Sequence, residues 1–309
     1  MDEKIHKRIL RLMGNRFEIS AVAKDEDWAQ HGIEKGVGEI QRLEKLLTTF
    51  SDDSQTQLIN ANAGIRPVVV EKEVFDLISR SIRISELTQG SFDLTYGSID
   101  KSLWNFDLSM KSLPSSAVAK DMVRLVNYRN IILNDHEGSV FLKEKGMRIG
   151  FGGIGKGYAA EMAKKVMLEY GVENGIVNAS GDLTTWGKQP GNLDWTIGIA
   201  NPDAKDLPFS YLKIGNMAVA TSGNYEKFVT LNGRKYSHTI NPKTGLPVTG
   251  IKSVTIISPN AELSDALATP VTVLGVKVGL DMINQMKQIA CIIIDDANQI
   301  HCSKNIKIT

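Results

Sequence analysis

The sequence predicts an α+β fold of mostly antiparallel sheets with packed helices, rather than a doubly wound α/β fold. Strand and helix segments follow one another in irregular order, and hairpin-type pairs of strands lie between the helices. The 309 residues, 42% of them hydrophobic, can bury a substantial core. No repeat, low-complexity linker or composition break divides the chain, which reads as one domain over residues 1–309.

The elements follow in order. Alternation in Phe17-Glu-Ile-Ser-Ala-Val predicts a strand over 11–23. Ile33, Val37, Ile40, Leu43, Leu46 and Leu47 recur at helical spacing and predict a helix over 31–47, followed by a turn at Phe50-Ser-Asp-Asp-Ser54. Val74, Leu77, Ile78, Ile82 and Leu87 predict a helix over 72–88 that stops at Gly90. Ser115 and Ser116 cap a helix reaching Val126. Ile131 to Leu133 and Ser139 to Leu142 read as strands, joined by a solvated tip whose Asp135-His136-Glu137 is no metal site. A glycine-rich turn then feeds a helix ending near Tyr170. Further strands are expected at 175–183, 195–202, 212–219, 227–231, 234–237 and 253–257, and a hairpin between Cys291 and Cys302. Ser264 is a plausible cap for a last helix.

Charge excludes some functions. Lys plus Arg (36) nearly cancel Asp plus Glu (35), which gives no electrostatic case for nucleic acid or an anionic membrane as partner. The N-terminal residues are charged throughout, without an apolar run long enough for a signal peptide or membrane span, so a cytoplasmic protein is expected. Cys291 and Cys302 could face each other across their hairpin, but two buried thiols are expected in a reducing compartment.

Two stretches carry chemistry. Arg148-Ile-Gly-Phe-Gly-Gly-Ile-Gly-Lys-Gly-Tyr158 opens a helix with exposed backbone amides suited to phosphate, and Lys156 adds positive charge. It fits neither the Walker pattern, because Tyr158 follows Gly157, nor a dinucleotide fingerprint. In the second stretch Asp265 and Thr269 stand four apart and project from one helical face, as a hard cation such as Mg²⁺ requires. His238, beside the turn Asn241-Pro-Lys-Thr-Gly245, is placed to accept a proton, and an imidazole with its ordinary pKa near 6.5 suits that role. The residues alone therefore reach metal-assisted phosphate chemistry.

The blocks Ala220-Thr-Ser-Gly-Asn-Tyr225, Tyr236-Ser-His-Thr-Ile-Asn-Pro-Lys-Thr-Gly245 and Ser264-Asp-Ala-Leu-Ala-Thr269 resemble the C-terminal signature of the ApbE family, the FAD:protein FMN transferases. Gly90-Ser-Phe-Asp93 and Gly152-Gly-Ile-Gly-Lys-Gly-Tyr-Ala159 resemble two further boxes, so the likeness runs from Met13 to about Gly275. It implies two intertwined subdomains with the site between them. The implied enzyme cleaves FAD with Mg²⁺ and passes FMN to a Ser or Thr of a target flavoprotein, releasing AMP. By the same resemblance the Gly153 carbonyl, Asp265 and Thr269 hold Mg²⁺. Met13, Phe50, Ser91, Phe92, Asp93, Lys156 and the Ile240 backbone contact the nucleotide, and His238 is the candidate base. Asn178-Ala-Ser-Gly-Asp182 resembles another box, whose acid supports the site. Two departures stand out: Gly150 and Asn241 occupy positions where the family usually has Asp. Many family members are exported lipoproteins, so a periplasmic or membrane-anchored protein is the alternative compartment. The other functional readings are an FAD pyrophosphatase using water as nucleophile and a non-catalytic FAD-binding protein.

Overall fold

The structure, a computed structural model, describes residues 2–100, 112–201, 204–223, 228–231 and 233–306. Pro202 and the residues 224–227, both within predicted strands or motifs, lie outside them. The helices are α1 (Glu26–Leu47), α2 (Gln55–Ala61), α3 (Lys72–Leu87), α4 (Ser116–Met122), α5 (Gly155–Tyr170) and α6 (Ala261–Ile283). The strands are β1 (Lys4–Leu12), β2 (Asn15–Ala23), β3 (Val68–Val69), β4 (Ile131–Asn134), β5 (Ser139–Leu142), β6 (Gly175–Ala179), β7 (Asp182–Trp186) and β8 (Trp195–Asn201). They continue with β9 (Ala204–Ile214), β10 (Ala218–Gly223), β11 (Phe228–Leu231), β12 (Arg234–Ser237), β13 (Ile251–Ser258), β14 (Ala290–Asp295) and β15 (Ile300–Cys302).

Among the described residues every named strand pairing is antiparallel, as expected for the α+β class. The main sheet has eight strands in the order β1-β2-β6-β7-β10-β13-β14-β15. Alternate residues of its strands feed two cores, following the period of two along a strand. On one face Phe17, Ile19, Val177 and Ala179 pack against α1 and α5, and Val254, Ile256 and Ile293 pack against α6. On the other face Val22, Leu183, Val219, Ile257 and Ile292 meet Trp195, Ile197 and Ile199 of the β8–β9 hairpin. A smaller cluster joins Val229, Leu231 and Ile240 to Ile99, Met122 and Val123. α6 is long and apolar enough by length and composition to span a membrane. It instead contributes Leu267, Val271 and Ile283 to the core under β13 and β14, contains Pro270 and breaks at Gly275.

Several boundaries differ from the sequence expectation. The single strand predicted over 11–23 is the hairpin β1–β2, turning at Met13-Gly14. Both turn residues have left-handed φ (50° and 71°), the two-residue geometry that matches strand twist. Methionine seldom adopts it, which hid the turn. α1 begins at Glu26 rather than His31, because the Asp25 side chain accepts the Trp28 N–H and Glu26 and Asp27 favour the positive helix end. The Ser115-capped helix ends at Met122, short of Val126. The strand expected over 212–219 is two strands, because Asn216 with φ 53° turns the chain between β9 and β10. Ser264 is not the cap of α6. Asn260 caps it by accepting from the Leu263 N–H, and Ser264 lies buried inside the helix, bonded to Ser258 at 2.8 Å. Cys302 stands opposite Ile292 rather than Cys291, and both are free thiols raised by burial, but only Cys291 is buried, Cys302 being half-buried on the outer strand β15.

Candidate functional site

The site is built where the N-terminal ends of α5 and α6 meet beyond one end of β7. The strand-like approach to α5 is pinned from both sides. Asn60 of α2 donates to the Ile149 carbonyl and accepts its N–H (3.0 and 2.7 Å), and Ser98 does the same for Arg148 (3.0 and 2.8 Å). The N-cap residue of α5, Ile154, supplies no side-chain cap, and the Gly155 N–H donates instead to the Phe151 carbonyl at 2.6 Å. α5 and α6 dock through Gly157: a methyl there would lie 2.1 Å from the Ala261 carbonyl oxygen. The Gly157 N–H donates to Asp265 Oδ2 at 2.9 Å, and Glu161 accepts the Ala261 N–H at 2.8 Å.

A charge cluster sits at this junction. The Lys156 ammonium contacts Asp182 and lies 3.6 Å from Asp265 Oδ1. Both carboxylates are buried, at 5% and 6% exposure, so their charge needs a partner. Burial works against the charge on Lys156, but Asp265 and Asp182 outweigh it and hold the ammonium above the usual lysine value. Burial and the Asp265 charge push the Asp182 carboxyl up, against Lys156 and the Thr221 N–H from β10. Thr221 thus brings the Ala218–Gly223 block to the cluster.

The remaining predicted residues fall into groups. A methyl on Gly153 would sit 3.6 Å from the Phe92 ring and 4.0 Å from Thr269 Oγ1, so Gly153, Phe92 and Thr269 share one corner. Met13 reaches the same turn, its Cε 3.9 Å from a methyl built on Gly155. Gly150 neighbours Thr49, and the next residue, Phe50, is 98% exposed. Ser91 is buried behind Phe92. Asp93 is committed within the protein, accepting from the Thr95 N–H (2.8 Å), the Thr95 hydroxyl (2.6 Å) and the Tyr128 N–H (2.9 Å). The Ile240 N–H donates to the Tyr96 hydroxyl at 3.0 Å. His238 is half-buried on the segment after β12, which the Ser237 N–H ties to the Val248 carbonyl at 3.1 Å. Asn241 Oδ1 accepts from the Lys243 and Thr244 N–H groups (2.9 and 3.3 Å), which shapes the turn.

Sequence reading missed three contributors: the Gly157 amide, Glu161 and Tyr96. Only Gly157 left a signal, since Gly153, Gly155 and Gly157 recur at every second position where close helix approach is common. Among the described residues no three His, Cys, Asp or Glu side chains group as a metal cluster. The ligands that the resemblance implies for a cation are Asp265, the Thr269 hydroxyl and the Gly153 carbonyl, and its other oxygens would come from water and phosphate. These hard oxygen donors fit Mg²⁺, and the ammonium already held between two buried carboxylates marks a place that calls for positive charge.

Fold and site together define an α+β protein in which a glycine-rich helix start meets a buried acidic pair bridged by one lysine. The ApbE family profile matches residues 13–293. A relative from Klebsiella pneumoniae, named FAD:protein FMN transferase, is 31% identical over 296 residues, covering 95% of this chain and 90% of the relative. One of the same name from Treponema pallidum is 28% identical, covering 86% of this chain and 78% of its own. The crystal structure of the ApbE protein from Thermotoga maritima superposes with a TM-score of 0.87 at 27% identity, covering 98% of each chain. The chain belongs to the ApbE family.

Proposed function

We propose that this protein is an FAD:protein FMN transferase that cleaves FAD in a Mg²⁺-dependent reaction, joins FMN through a phosphoester to a Ser or Thr of an acceptor flavoprotein, and releases AMP. The carrying observation is the buried Asp182–Lys156–Asp265 cluster at the N-terminus of α5, beside Gly153, Phe92 and Thr269. The relatives' name supports the transferase reading.

In this reading the α5 terminus and Lys156 bind the pyrophosphate, and Phe92 and Met13 line the nucleotide's place. Mg²⁺ held by Asp265, Thr269 and the Gly153 carbonyl would neutralise phosphate charge and act as a Lewis acid. His238 accepts the proton of the attacking hydroxyl, which makes that oxygen a competent nucleophile. Asn241 keeps the turn that Asp would form, because its Oδ1 serves only as acceptor.

The test mixes protein, FAD and Mg²⁺ with and without an acceptor segment bearing the target Ser or Thr. AMP matched by covalent flavin on the acceptor, lost in Asp265→Ala and His238→Ala, is the expected result. AMP matched by free FMN whatever the acceptor would make the protein a pyrophosphatase. Intact bound FAD would make it a carrier.

A further inference from the structure

The two oxygens of Asp265 are used differently. Oδ2 accepts the Gly157 N–H at 2.9 Å, whereas Oδ1 faces the Lys156 ammonium at 3.6 Å. Asp182, on the other side of that ammonium, contacts it directly. A Mg²⁺ ion binds carboxylate oxygen at about 2.1 Å. On Oδ1 it would come within a few ångströms of Nζ in a water-poor setting, where two like charges repel strongly. The ion and the Lys156 ammonium would therefore compete for the charge of Oδ1.

Resting on the metal reading above, we propose that Lys156 is a placeholder cation. It neutralises Asp265 before the divalent ion arrives and is displaced from Oδ1 by that ion. Asp182 keeps hold of the ammonium, so it stays at the α5 terminus and is directed to the nucleotide's pyrophosphate. The arrangement answers a local problem of charge. Two buried carboxylates with no cation between them would strongly disfavour the metal-free fold, and one lysine removes most of that cost. A lysine suits the task better than arginine, since its compact ammonium leaves one oxygen without breaking a bidentate fork. Lys156 thus competes with the metal for Asp265 as well as serving as a phosphate contact.

The experiment needs no catalysis. Mg²⁺ is titrated calorimetrically, without nucleotide, into wild type, Lys156→Met and Lys156→Arg. In parallel, protein labelled with ¹³C at the lysine ε-carbons is followed by NMR, the Lys156 resonance being the one absent in Lys156→Arg. Removing the competing charge in Lys156→Met should tighten Mg²⁺ binding roughly ten- to a hundredfold, while the charge-keeping Lys156→Arg stays near wild type or weaker. In wild type the Lys156 ε-carbon signal should shift with the same midpoint as the calorimetric binding. Mg²⁺ binding that leaves this signal unmoved, or that is unchanged or weaker in Lys156→Met judged folded by its melting transition, would overturn the inference alone. Failure of every variant to bind Mg²⁺ would overturn both the inference and the metal assignment beneath it.

Discussion

Replacing Gly157 by alanine tests the docking of α5 on α6 and its consequence for Asp265. The added methyl would lie 2.1 Å from the Ala261 carbonyl oxygen, 2.6 Å from its carbon and 2.8 Å from Asp265 Cβ. Two of these are backbone atoms, so no side-chain rotation relieves the clash. Comfortable contact begins near 3.5 Å, so the start of α6 must retreat by about 1 Å, carrying Asp265 and weakening the Gly157 N–H to Oδ2 bond. Such overpacking costs about 1–3 kcal/mol, offset by about 1 kcal/mol from the better helix propensity of alanine. Net destabilisation of up to about 2 kcal/mol lowers the melting temperature by up to several degrees, at about 2–4 °C per kcal/mol. A 1 Å misplacement can cost about a hundredfold in rate. Thermal melting and AMP release from FAD read the two effects, with Gly152→Ala as control, since a methyl there meets nothing within 4 Å. A Gly157→Ala protein that melts with wild type and keeps its rate would refute this account of the helix junction.

Other expectations follow from single sites. Gly38 is exposed in the middle of α1 with open space around a built methyl, so Gly38→Ala should raise stability by about 0.5–1 kcal/mol, measured by denaturant unfolding. Asn241→Asp should leave the transfer rate within about twofold, because either Oδ1 can accept the turn's N–H groups, whereas Asn241→Ala should lower melting temperature by removing a bond worth about 1 kcal/mol. Asp182 gives a pH dependence in the metal-free protein. Its folded pKa is raised, so between the ordinary carboxylate range and that raised value the folded state keeps a proton the unfolded chain has lost. Stability therefore falls as pH rises through this window, by at most about 1.4 kcal/mol per unit, and levels off above it. Melting curves in chelator should show the slope in wild type and lose it in Asp182→Asn; an unchanged slope would place its origin elsewhere.

The elements easiest to read were those whose pattern is local. The apolar spacing in α3 and the turn between β4 and β5 both depend on neighbours in sequence, and both stand where periodicity and turn residues put them. The β1–β2 turn was hidden because Met13 adopts a left-handed conformation that its side chain does not advertise. Ser264 has the chemistry of a cap, but Asn260 stands at the end of β13 where the chain turns into α6 and takes that place.

By itself the sequence determined the kinds of donor available: an oxygen pair on one helical face, a lysine in a glycine-rich helix start, a histidine beside a Pro-containing turn. Residue type and short spacing set these, because any helix that forms puts residues four apart on one face. Only the tertiary structure decided which of them meet. Lys156 and Asp182 are 26 residues apart, and Gly157 and Asp265 are 108 apart. The antiparallel order that sets β7 beside β10 and brings α5 onto α6 closes those distances, and it creates the low-dielectric setting in which one lysine must serve two carboxylates.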